Sequence, residues 1–357
     1  MLELSANEQD RLREVAESDP GQRLRCASPG QEPLDQSRPA PAVPELATFI
    51  ATDGSQIYPD SHGLTFYYMI NVGGIIYRHG SGQAPEIVSE PRLRYSEERL
   101  YPGGSPVSVD LVSVERDLAE MQLLATLASV EPAAGPPRLA LADGPLLIWF
   151  QRAAVPEEQQ ARILGEYLSC LDRLQSEGVT LAGFVSRPRS AEVVAMLYLA
   201  HLGEEERGGV TSLAQTEFRG LTDRVLFDRL GEGERSALFV RGTAANRDYR
   251  GRGHAAYFFY LRSGAEIARV EVPEWVASQP ERLDLVHAAV HEQCRFNNGY
   301  PYVLTRADEL AVILGEERGM LESMIARSLL DHGQNMPQLS RKAQQKRVAR
   351  WRRRRQM

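Results

Sequence analysis

The chain has 357 residues, of which 43% are hydrophobic and 25% are charged, and its formal net charge is −7 at pH 7. This balance is typical of a globular protein with a substantial core, and no stretch reaches the ~18 consecutive apolar residues that a membrane-spanning helix needs. The three cysteines lie far apart without metal-ligand spacing, and the first residues lack the basic start and apolar stretch of a signal peptide. We therefore expect reduced thiols in a cytoplasmic protein without a membrane segment.

Charge is distributed unevenly along the chain. Residues 341–357 contain nine Lys or Arg and no acid, so the rest of the chain carries the acidic surplus. A basic segment on an acidic body indicates a polyanionic partner, and the ring of Trp351 among the arginines could stack on nucleic-acid bases. The alternative is a solvated tail with no partner.

The composition divides the chain into three parts. Residues 2–16 are a helix candidate, and residues 18–44 are rich in Pro, Ser, Gln and charge, which is typical of a linker. We predict an N-terminal helix and Pro-rich linker over residues 1–45, one folded domain over residues 46–330, and a basic C-terminal tail over residues 331–357.

The predicted domain begins with three strands. Apolar, β-branched and aromatic residues predict strands within residues 48–52, 63–80 and 84–95. Gly73-Gly74 interrupts the second of them and predicts a bulge or a turn there.

Helices and strands then alternate. Apolar residues recur at helical spacing over residues 108–130 and 157–177, while short apolar strands end at Asp143 and cover residues 179–188. The next helix has Ser190 as its expected N-cap.

The last part of the domain adds a hairpin and two helices. Two alternating strands at residues 255–275 predict the hairpin, residues 279–296 predict a helix, and a long amphipathic helix is expected from near Thr305 to Leu330. Three strands, a helix, a strand and then alternating helices and strands predict an α/β fold, with a mixed β-sheet flanked by helices and a hairpin and helical extension.

Two of the predicted strands deliver an acid that is followed by glycine. Asp53-Gly54 ends the run Phe-Ile-Ala-Thr, and Asp143-Gly144 ends the run Leu-Ala-Leu-Ala. If these strands are neighbours, their carboxylates meet at one edge of the sheet, where their repulsion requires a cation. Oxygen ligands favour Mg²⁺ or Mn²⁺. The alternative is turn chemistry, because Asp-Gly is common in turns.

Further acids could complete this site. Glu120 lies at the boundary of the buried side of the helix between the two strands and is the predicted third ligand, whereas Glu115 and Asp117 are expected to be solvated. Asp308 opens the last predicted helix, where the helix dipole alone would favour an acid. Tyr300 precedes it in a rigid Gly-Tyr-Pro stretch. This order of acids is that of ribonuclease H-like nucleases, in which two metal ions ~4 Å apart act on a phosphodiester.

An ordered set of motifs resembles the NurA family of nucleases. The motifs are "FIATDGSQIYPD", "ERDLAEMQLL", "LALADGPLL", "FVSRPRSAEVV", "YFFYLRSGAEIARVEVPEW" and "GYPYVLTRADELAVI", over roughly residues 46–330. The resemblance implies a ribonuclease H-like fold and a manganese-dependent DNA nuclease with 5′-to-3′ exonuclease and single-strand endonuclease activity. It also implies a ring-shaped homodimer that works with a hexameric HerA-type ATPase in DNA end resection and repair.

The same resemblance implies roles for individual residues. The metal-binding acids of the family correspond to Asp53, Glu120 and Asp143, its later Tyr corresponds to Tyr300, and its late His falls on Asp308. Asp308 is still an oxygen ligand for a metal, but this departure from His could alter metal preference or remove a proton donor.

Arginines are the candidates for contacts with DNA phosphates. Arg187 and Arg189 follow a predicted strand and precede a helix, whose N–H groups could also bind a phosphate, although a solvated loop is the alternative. Arg247, Arg250 and Arg252 lie in "ANRDYRGRGHAAY", whose glycines predict a flexible DNA-contacting loop.

These observations favour a metal-dependent DNA phosphodiesterase that uses two Mn²⁺ or Mg²⁺ ions. The chain has no Gly-x-x-x-x-Gly-Lys-Ser/Thr motif, so we expect any ATP-driven movement to come from a partner. Two other classes of function stay open. A non-catalytic nucleic-acid-binding or ATPase-docking protein would keep the fold without binding metal, and a phosphoesterase for small substrates would not use the basic tail.

Overall fold

The computed structural model describes residues 24–61, 65–151, 154–207 and 209–331. The predicted helix at residues 2–16, the first part of the linker, and the basic segment from residue 341 with Trp351 lie outside these residues. In the part of the chain that is described, no helix is both long and apolar enough to cross a membrane.

Nine strands form one sheet, in the order β1-β7-β8-β9-β6-β5-β2-β3-β4. Their bounds are β1 Cys26–Pro29, β2 Ala47–Ile57, β3 Tyr68–His79, β4 Glu86–Arg94, β5 Arg138–Asp143, β6 Thr180–Val185, β7 Phe239–Gly242, β8 Ala256–Ser263 and β9 Glu266–Pro273.

Eleven α-helices are found among the described residues. They are α1 Glu97–Leu100, α2 Val109–Val130, α3 Glu157–Ser176, α4 Glu192–His201, α5 Glu204–Arg207, α6 Asp223–Leu226, α7 Ala244–Arg250, α8 Glu274–Ala277, α9 Pro280–Phe296, α10 Tyr302–Ala311 and α11 Gly315–Asp331. Two short 3₁₀ turns cover Pro102–Gly104 and Leu213–Gln215.

The sheet is mixed, as predicted. Strands β2, β5 and β6 are parallel neighbours, whereas β3 is antiparallel to both β2 and β4. Strand β9 then pairs antiparallel with β6 and begins an extension through β8 and β7 to β1. The predicted hairpin is confirmed as β8 and β9. Because β2 and β5 are adjacent and parallel, their carboxyl ends meet at one edge of the sheet.

Gly73 and Gly74 do not form the predicted bulge or turn, because both lie inside the continuous strand β3. A Cβ on Gly73 would lie 2.6 Å from the backbone oxygen of Ala307 in α10, and a Cβ on Gly74 would lie 2.6 Å from Leu127 in α2. Successive side chains point to opposite faces of a strand, so α2 and α10 cover opposite faces of the sheet. The glycines permit two helices to approach one strand closely.

The predicted long final helix is two helices, and it begins at Tyr302 rather than near Thr305. It is broken after Ala311, where the carbonyl oxygen accepts hydrogen bonds from the side chains of Ser55 and Asn71. These side chains replace the amide that a continuous helix would supply, and the chain turns at Val312 before α11 begins.

The predicted N-cap at Ser190 is also wrong. Helix α4 begins at Glu192, and the carboxylate of the distant Asp223 accepts from the backbone N–H groups of Glu192, Val193 and Val194 at 2.9–3.0 Å. The hydroxyl of Ser190 instead lies 2.9 Å from that of Tyr260. A buried carboxylate therefore caps this helix through tertiary contact rather than through local sequence.

Candidate metal-binding active site

Asp53 and Asp143 lie side by side where the parallel pairing of β2 and β5 ends. The predicted end of the first strand at Asp53 is wrong, because β2 continues to Ile57 in its pairing with β3. The last parallel pair joins Thr52 to Ala142, so each acid follows directly after it. Burial and the nearby charge of Asp143 raise the pKa of Asp53 to about 7, although a hydrogen bond from the backbone of Gly54 opposes the shift. Burial also raises the pKa of Asp143. The two carboxylates therefore repel each other, as the adjacency of their strands predicted.

Glu120 reaches the same edge from helix α2. Its side chain is 15% exposed, and burial raises its pKa well above the ordinary value; the charge of Arg116 opposes this shift, and Asp117, Asp53 and Asp143 add to it. Its Oε1 atom is buried and, among the described residues, has no hydrogen-bond partner. A buried carboxylate oxygen without a partner is costly unless a cation completes its surroundings.

The glycine after Asp53 has a spatial reason. A Cβ on Gly54 would lie 2.5 Å from Oε1 of Glu120 and 2.8 Å from Cγ of Arg116. Only a residue without a side chain leaves room there for the Glu120 carboxylate to approach β2. Gly144 has a different reason, because its φ of 99° is a conformation that favours glycine.

The expectation that Glu115 is solvated is wrong. Its side chain is only 10% exposed and forms ion pairs at 3.2 Å with Arg99 and Arg162, and the hydroxyl of Tyr68 donates to it at 2.5 Å. Glu115 therefore attaches α2 to its neighbours, whereas Asp117 is 37% exposed and agrees better with the prediction.

Asp308 does not open its helix. It lies in the last turn of α10, where the helix dipole disfavours a carboxylate, so the dipole does not explain its presence. Its side chain is exposed and shares a hydrogen bond with Asp53, whose pKa it raises. Asp53 pairs with Gly73, and both face α10, which explains how Asp308 reaches it.

Tyr300 completes this edge. Its ring packs edge-on against Phe184 of β6, with centroids 5.4 Å apart, and its hydroxyl donates a hydrogen bond to Asp143. Burial and the charge of Asp143 raise the pKa of Tyr300, so the phenol stays protonated and keeps this donor role. The preceding turn has positive φ angles at Asn298 and Gly299, which direct the chain back towards the sheet.

Arg116 is a member of this edge that the sequence interpretation missed. Its Nε lies 3.1 Å from Oε1 of Glu120, but the two groups are not aligned for a hydrogen bond, and its Nη2 donates to Asp117 at 2.5 Å. Its charge lowers the pKa of Asp143 against the effect of burial. The available signal was its position four residues before Glu120 on the same helix face.

The acids at this edge are candidate metal ligands. Within the described ranges, no three His, Cys, Asp or Glu side chains are grouped closely enough to hold a metal. The residues nevertheless fit one, because the set consists of oxygen donors, the pKa values of Asp53, Glu120 and Asp143 are raised, and Oε1 of Glu120 accepts no hydrogen bond from the described residues. Asp53, Glu120, Asp143 and Asp308 are therefore brought to one edge, and their role as ligands stays a prediction.

The turn after Asp143 is held by contacts that sequence inspection could not locate. The backbone N–H of Gly144 donates to the carbonyl of Phe184 at 2.8 Å, and the N–H of Leu146 donates to the carboxylate of Glu271 at 3.0 Å. Glu271 is 1% exposed and lies on β9, far along the chain. This buried acid positions the turn that begins with Asp143.

Arg187 and Arg189 lie exposed after β6, at the same edge as the acids because β6 is parallel to β5. Arg187 pairs with Glu266 at 3.1 Å, a surface ion pair that a phosphate could displace at small cost. The predicted phosphate site at the N–H groups of α4 is wrong, because Asp223 already occupies those groups.

The segment with Arg247, Arg250 and Arg252 is not the predicted flexible loop. Arg247 and Arg250 are exposed on the ordered helix α7, and Arg252 follows in a turn, where it pairs with Asp172 of α3. Asp172 also lies 2.7 Å from Nε2 of the buried His254. All three arginines stay candidates for contact with DNA.

Two of three comparisons with known proteins agree with this architecture. The family model of the NurA domain matches residues 47–313, which is well over half of the chain. The NurA nuclease from Sulfolobus solfataricus superposes with a TM-score of 0.52 at 11% identity and covers 92% of this chain and 92% of that chain. A comparison with the curated proteins finds no match.

Weaker structural similarities include the catalytic domain of human endonuclease V, with a TM-score of 0.36, 14% identity and coverage of 79% of this chain and 85% of that chain. Endonuclease V from Ciona intestinalis, in complex with a 24mer DNA, gives a TM-score of 0.32 at 11% identity and covers 89% and 98%. These two scores are too low to support a conclusion. The Sulfolobus match shows that the sheet is ribonuclease H-like, as predicted, and the domain match shows that the chain belongs to the NurA family.

Proposed function

We propose that this protein is a metal-dependent nuclease that hydrolyses DNA phosphodiesters at the edge formed by β2 and β5. The observation that carries the proposal is the group of acids there, with raised pKa values for Asp53, Glu120 and Asp143 and an oxygen of Glu120 that, among the described residues, accepts no hydrogen bond and has Arg116 beside it at 3.1 Å. Carboxylates that repel each other, and whose charge no internal cation fully compensates, lower the stability of a fold. They are well suited to binding divalent cations. Membership of the NurA family supports the same function.

In this proposal Asp53, Glu120, Asp143 and Asp308 hold two Mn²⁺ or Mg²⁺ ions. When bound, the ions supply charge for the phosphodiester and lower the pKa of the attacking water. The hydroxyl of Tyr300 holds Asp143 in place through its hydrogen bond. Arg116, beside Glu120, contributes a fixed positive charge at an edge that a phosphate must approach.

Finer features of the family are carried to this chain as proposals. They are 5′-to-3′ exonuclease and single-strand endonuclease activity, a homodimer, and cooperation with a hexameric HerA-type ATPase in DNA end resection. The printed sequence has no phosphate-binding loop of its own, which supports an external ATPase. A cytoplasmic location also stays a prediction.

The test is cleavage of labelled single-stranded and duplex DNA with Mn²⁺ or Mg²⁺, with and without a HerA-type partner. Asp53→Ala and Asp143→Ala should each lower the cleavage rate by ~100-fold or more, because even outer-shell partners of a metal contribute 10–100-fold. Asp284→Ala makes the same change at an exposed position on α9 and should leave the rate unchanged. Circular dichroism should show an intact fold in all three variants. Undiminished digestion by either site variant would refute the site.

A second candidate function is a nucleic-acid-binding or ATPase-docking protein without catalysis. The observation in its favour is that, across the residues described, no three potential ligands are grouped tightly enough to hold an ion. Calorimetric titration with Mn²⁺ separates the two functions. The nuclease predicts metal uptake that Asp53→Asn weakens, whereas the docking protein predicts none in either form.

A further inference from the structure

Trp149 presents a large apolar ring to solvent a few residues after Asp143. The ring residue is 64% exposed, although Leu146, Leu147 and Ile148 directly before it are buried. An exposed tryptophan is uncommon on a folded surface, because its area stabilises a protein most when it is removed from water. Because the three residues before Trp149 are packed in the core, the backbone that carries its ring is held in place.

The loop that carries Trp149 is held by three hydrogen bonds to distant elements. The backbone of Leu146 bonds through its N–H to Glu271 at 3.0 Å and through its carbonyl to the hydroxyl of Tyr167 at 3.0 Å. The N–H of Ile148 donates to the hydroxyl of Tyr249 at 2.9 Å. The exposure of Trp149 is therefore maintained by an ordered loop.

An arginine lies over this ring. The guanidinium carbon of Arg25 lies 4.9 Å from the ring centroid, which is cation–π distance. Arg25 directly precedes β1, which pairs with β7, and β7 leads into helix α7. The same helix carries Tyr249, which holds the Trp149 loop, and the exposed Arg247 and Arg250.

The ring lies within reach of the acidic edge. Trp149 is six positions after Asp143, so their Cα atoms are at most ~20 Å apart even if the chain were fully extended. At the ~3.4 Å rise per nucleotide of a duplex strand, that distance corresponds to about six nucleotides. One nucleic-acid strand could therefore contact both places.

We propose that Trp149 and Arg25 form a stacking platform for a single DNA strand that leads to the acidic edge, with Arg247 and Arg250 beside it. This inference rests on the proposed nuclease function. An aromatic face stacks on any base, and an arginine beside it contacts the phosphates, so the pair suits a strand bound without sequence preference. A protein partner is the other possible occupant of the platform. The three arginines, Arg25 before β1 and Arg247 and Arg250 on α7, favour the polyanion.

The experiment uses the full chain with chelator, so that binding is measured without cleavage. The probe is oligo-dT of about 12 nucleotides, within the usual range of single-strand sites. Trp351→Phe removes the tryptophan of the basic segment and leaves Trp149 together with the buried Trp275. In this background the probe should quench tryptophan emission, and adding Trp149→Phe should abolish the quenching.

Affinity is measured in parallel by anisotropy of the same labelled probe. Trp149→Ala should raise its Kd by ~10-fold, whereas Trp149→Phe retains an aromatic face and should raise it by less than ~3-fold. Arg25→Gln should lower the slope of log Kd against log salt by about one. Tyr95→Ala is the matched control, because it removes another exposed ring beyond β4, at the other end of the strand order from β1.

Unchanged affinity in Trp149→Ala, or quenching that persists in the Trp149→Phe background, would overturn the platform and leave the surface to a protein partner. Cleavage with Mn²⁺ distinguishes this result from failure of the proposed function. Cleavage by the wild type together with unchanged binding in Trp149→Ala contradicts the platform alone. Quenching by the probe in a protein that never cleaves DNA contradicts the nuclease alone.

Discussion

Two regions of the molecule contain buried or half-buried charge, and they treat it in opposite ways. The acidic edge comprises Asp53, Glu120, Asp143 and Asp308, and Arg116 lies beside Glu120 there. The buried ion network comprises Glu192, Arg241, Arg269 and Glu271. In the network each glutamate lies 3.0–3.5 Å from two arginines. The acidic edge therefore has a surplus of negative charge, whereas the network is balanced.

Glu120 and Glu192 illustrate the consequence. Burial raises the pKa of both, but the charges of Arg269 and Arg241 outweigh burial and lower the pKa of Glu192 below its ordinary value. The guanidinium of Arg116 is not aligned for a hydrogen bond with Glu120, and the pKa of Glu120 stays raised. A buried glutamate such as Glu192, with two arginines beside it, therefore has a structural role. Glu120, whose negative charge is not fully compensated, is available to bind a cation from solution.

The largest difference in stability is expected from the network. Arg269→Ala leaves Glu192 and Glu271 buried with one cation between them, which should lower the free energy of unfolding by ~3–5 kcal/mol. Denaturant unfolding measures the loss. Arg229→Ala removes an exposed arginine and should change it by less than ~0.5 kcal/mol. A loss below ~1 kcal/mol for Arg269→Ala would contradict the view that the network is structural.

Mn²⁺ should stabilise the folded protein by binding at the acidic edge and not at the buried ion network. At a Mn²⁺ concentration of ~100 times Kd, binding to the folded state adds ~2.7 kcal/mol and raises Tm by several degrees. The double variant Asp53→Asn with Asp143→Asn should lose this increase, while Arg269→Ala should keep it. Thermal unfolding with and without Mn²⁺ measures both. Equal increases in the wild type and the double variant would place the metal elsewhere.

Gly54→Ala tests the acidic edge without changing its charge. The added methyl group would lie 2.5 Å from Oε1 of Glu120, so the carboxylate must move, and we expect a loss of ~1–3 kcal/mol together with weaker Mn²⁺ binding. Gly165→Ala is the control, because open space surrounds that position on α3, and the substitution should stabilise by ~0.4–1 kcal/mol. Unfolding and calorimetry measure the two effects, and unchanged metal affinity in Gly54→Ala would contradict the assigned role of Glu120.

The smallest effect is expected from Asp53 in metal-free protein. Its pKa rises from 3.8 to about 7 on folding, so between these values the folded state binds a proton that the unfolded state has lost. Stability contributed by this group therefore falls as pH rises from ~4 to ~7. Asp53→Asn should remove that dependence and, in chelator at pH 8, raise Tm by about 1–2 °C. A lower Tm at pH 8 would show that the Asp53 carboxylate is stabilising.

Much of the acidic edge followed from local sequence. Apolar and β-branched runs predicted β2 and β5, and an acid followed each run, so parallel pairing was enough to bring Asp53 and Asp143 together, although β2 continues past Asp53 to Ile57. Helical periodicity likewise placed Glu120 beside the buried side of α2. These features depend on contacts between residues that are close in sequence, or on the regular geometry of one element.

Other features depended on contacts between distant segments. Gly73 and Gly74 read as a turn, but they accommodate α10 and α2, and the helix after Tyr302 ends where Ser55 and Asn71 bind its last carbonyl. A single segment does not encode such partners, because close approach and capping involve atoms from remote parts of the chain.

By itself, the sequence determined the mixed sheet, the edge that carries the acids and the family. Only the tertiary structure decided that Asp308 lies in the last turn of its helix, that Gly54 makes room for Glu120, and that an oxygen of Glu120 accepts no hydrogen bond from the described residues. The physical reason is that strand and helix periodicity is local, whereas the balance of charge around a carboxylate depends on which distant cations the fold brings to it.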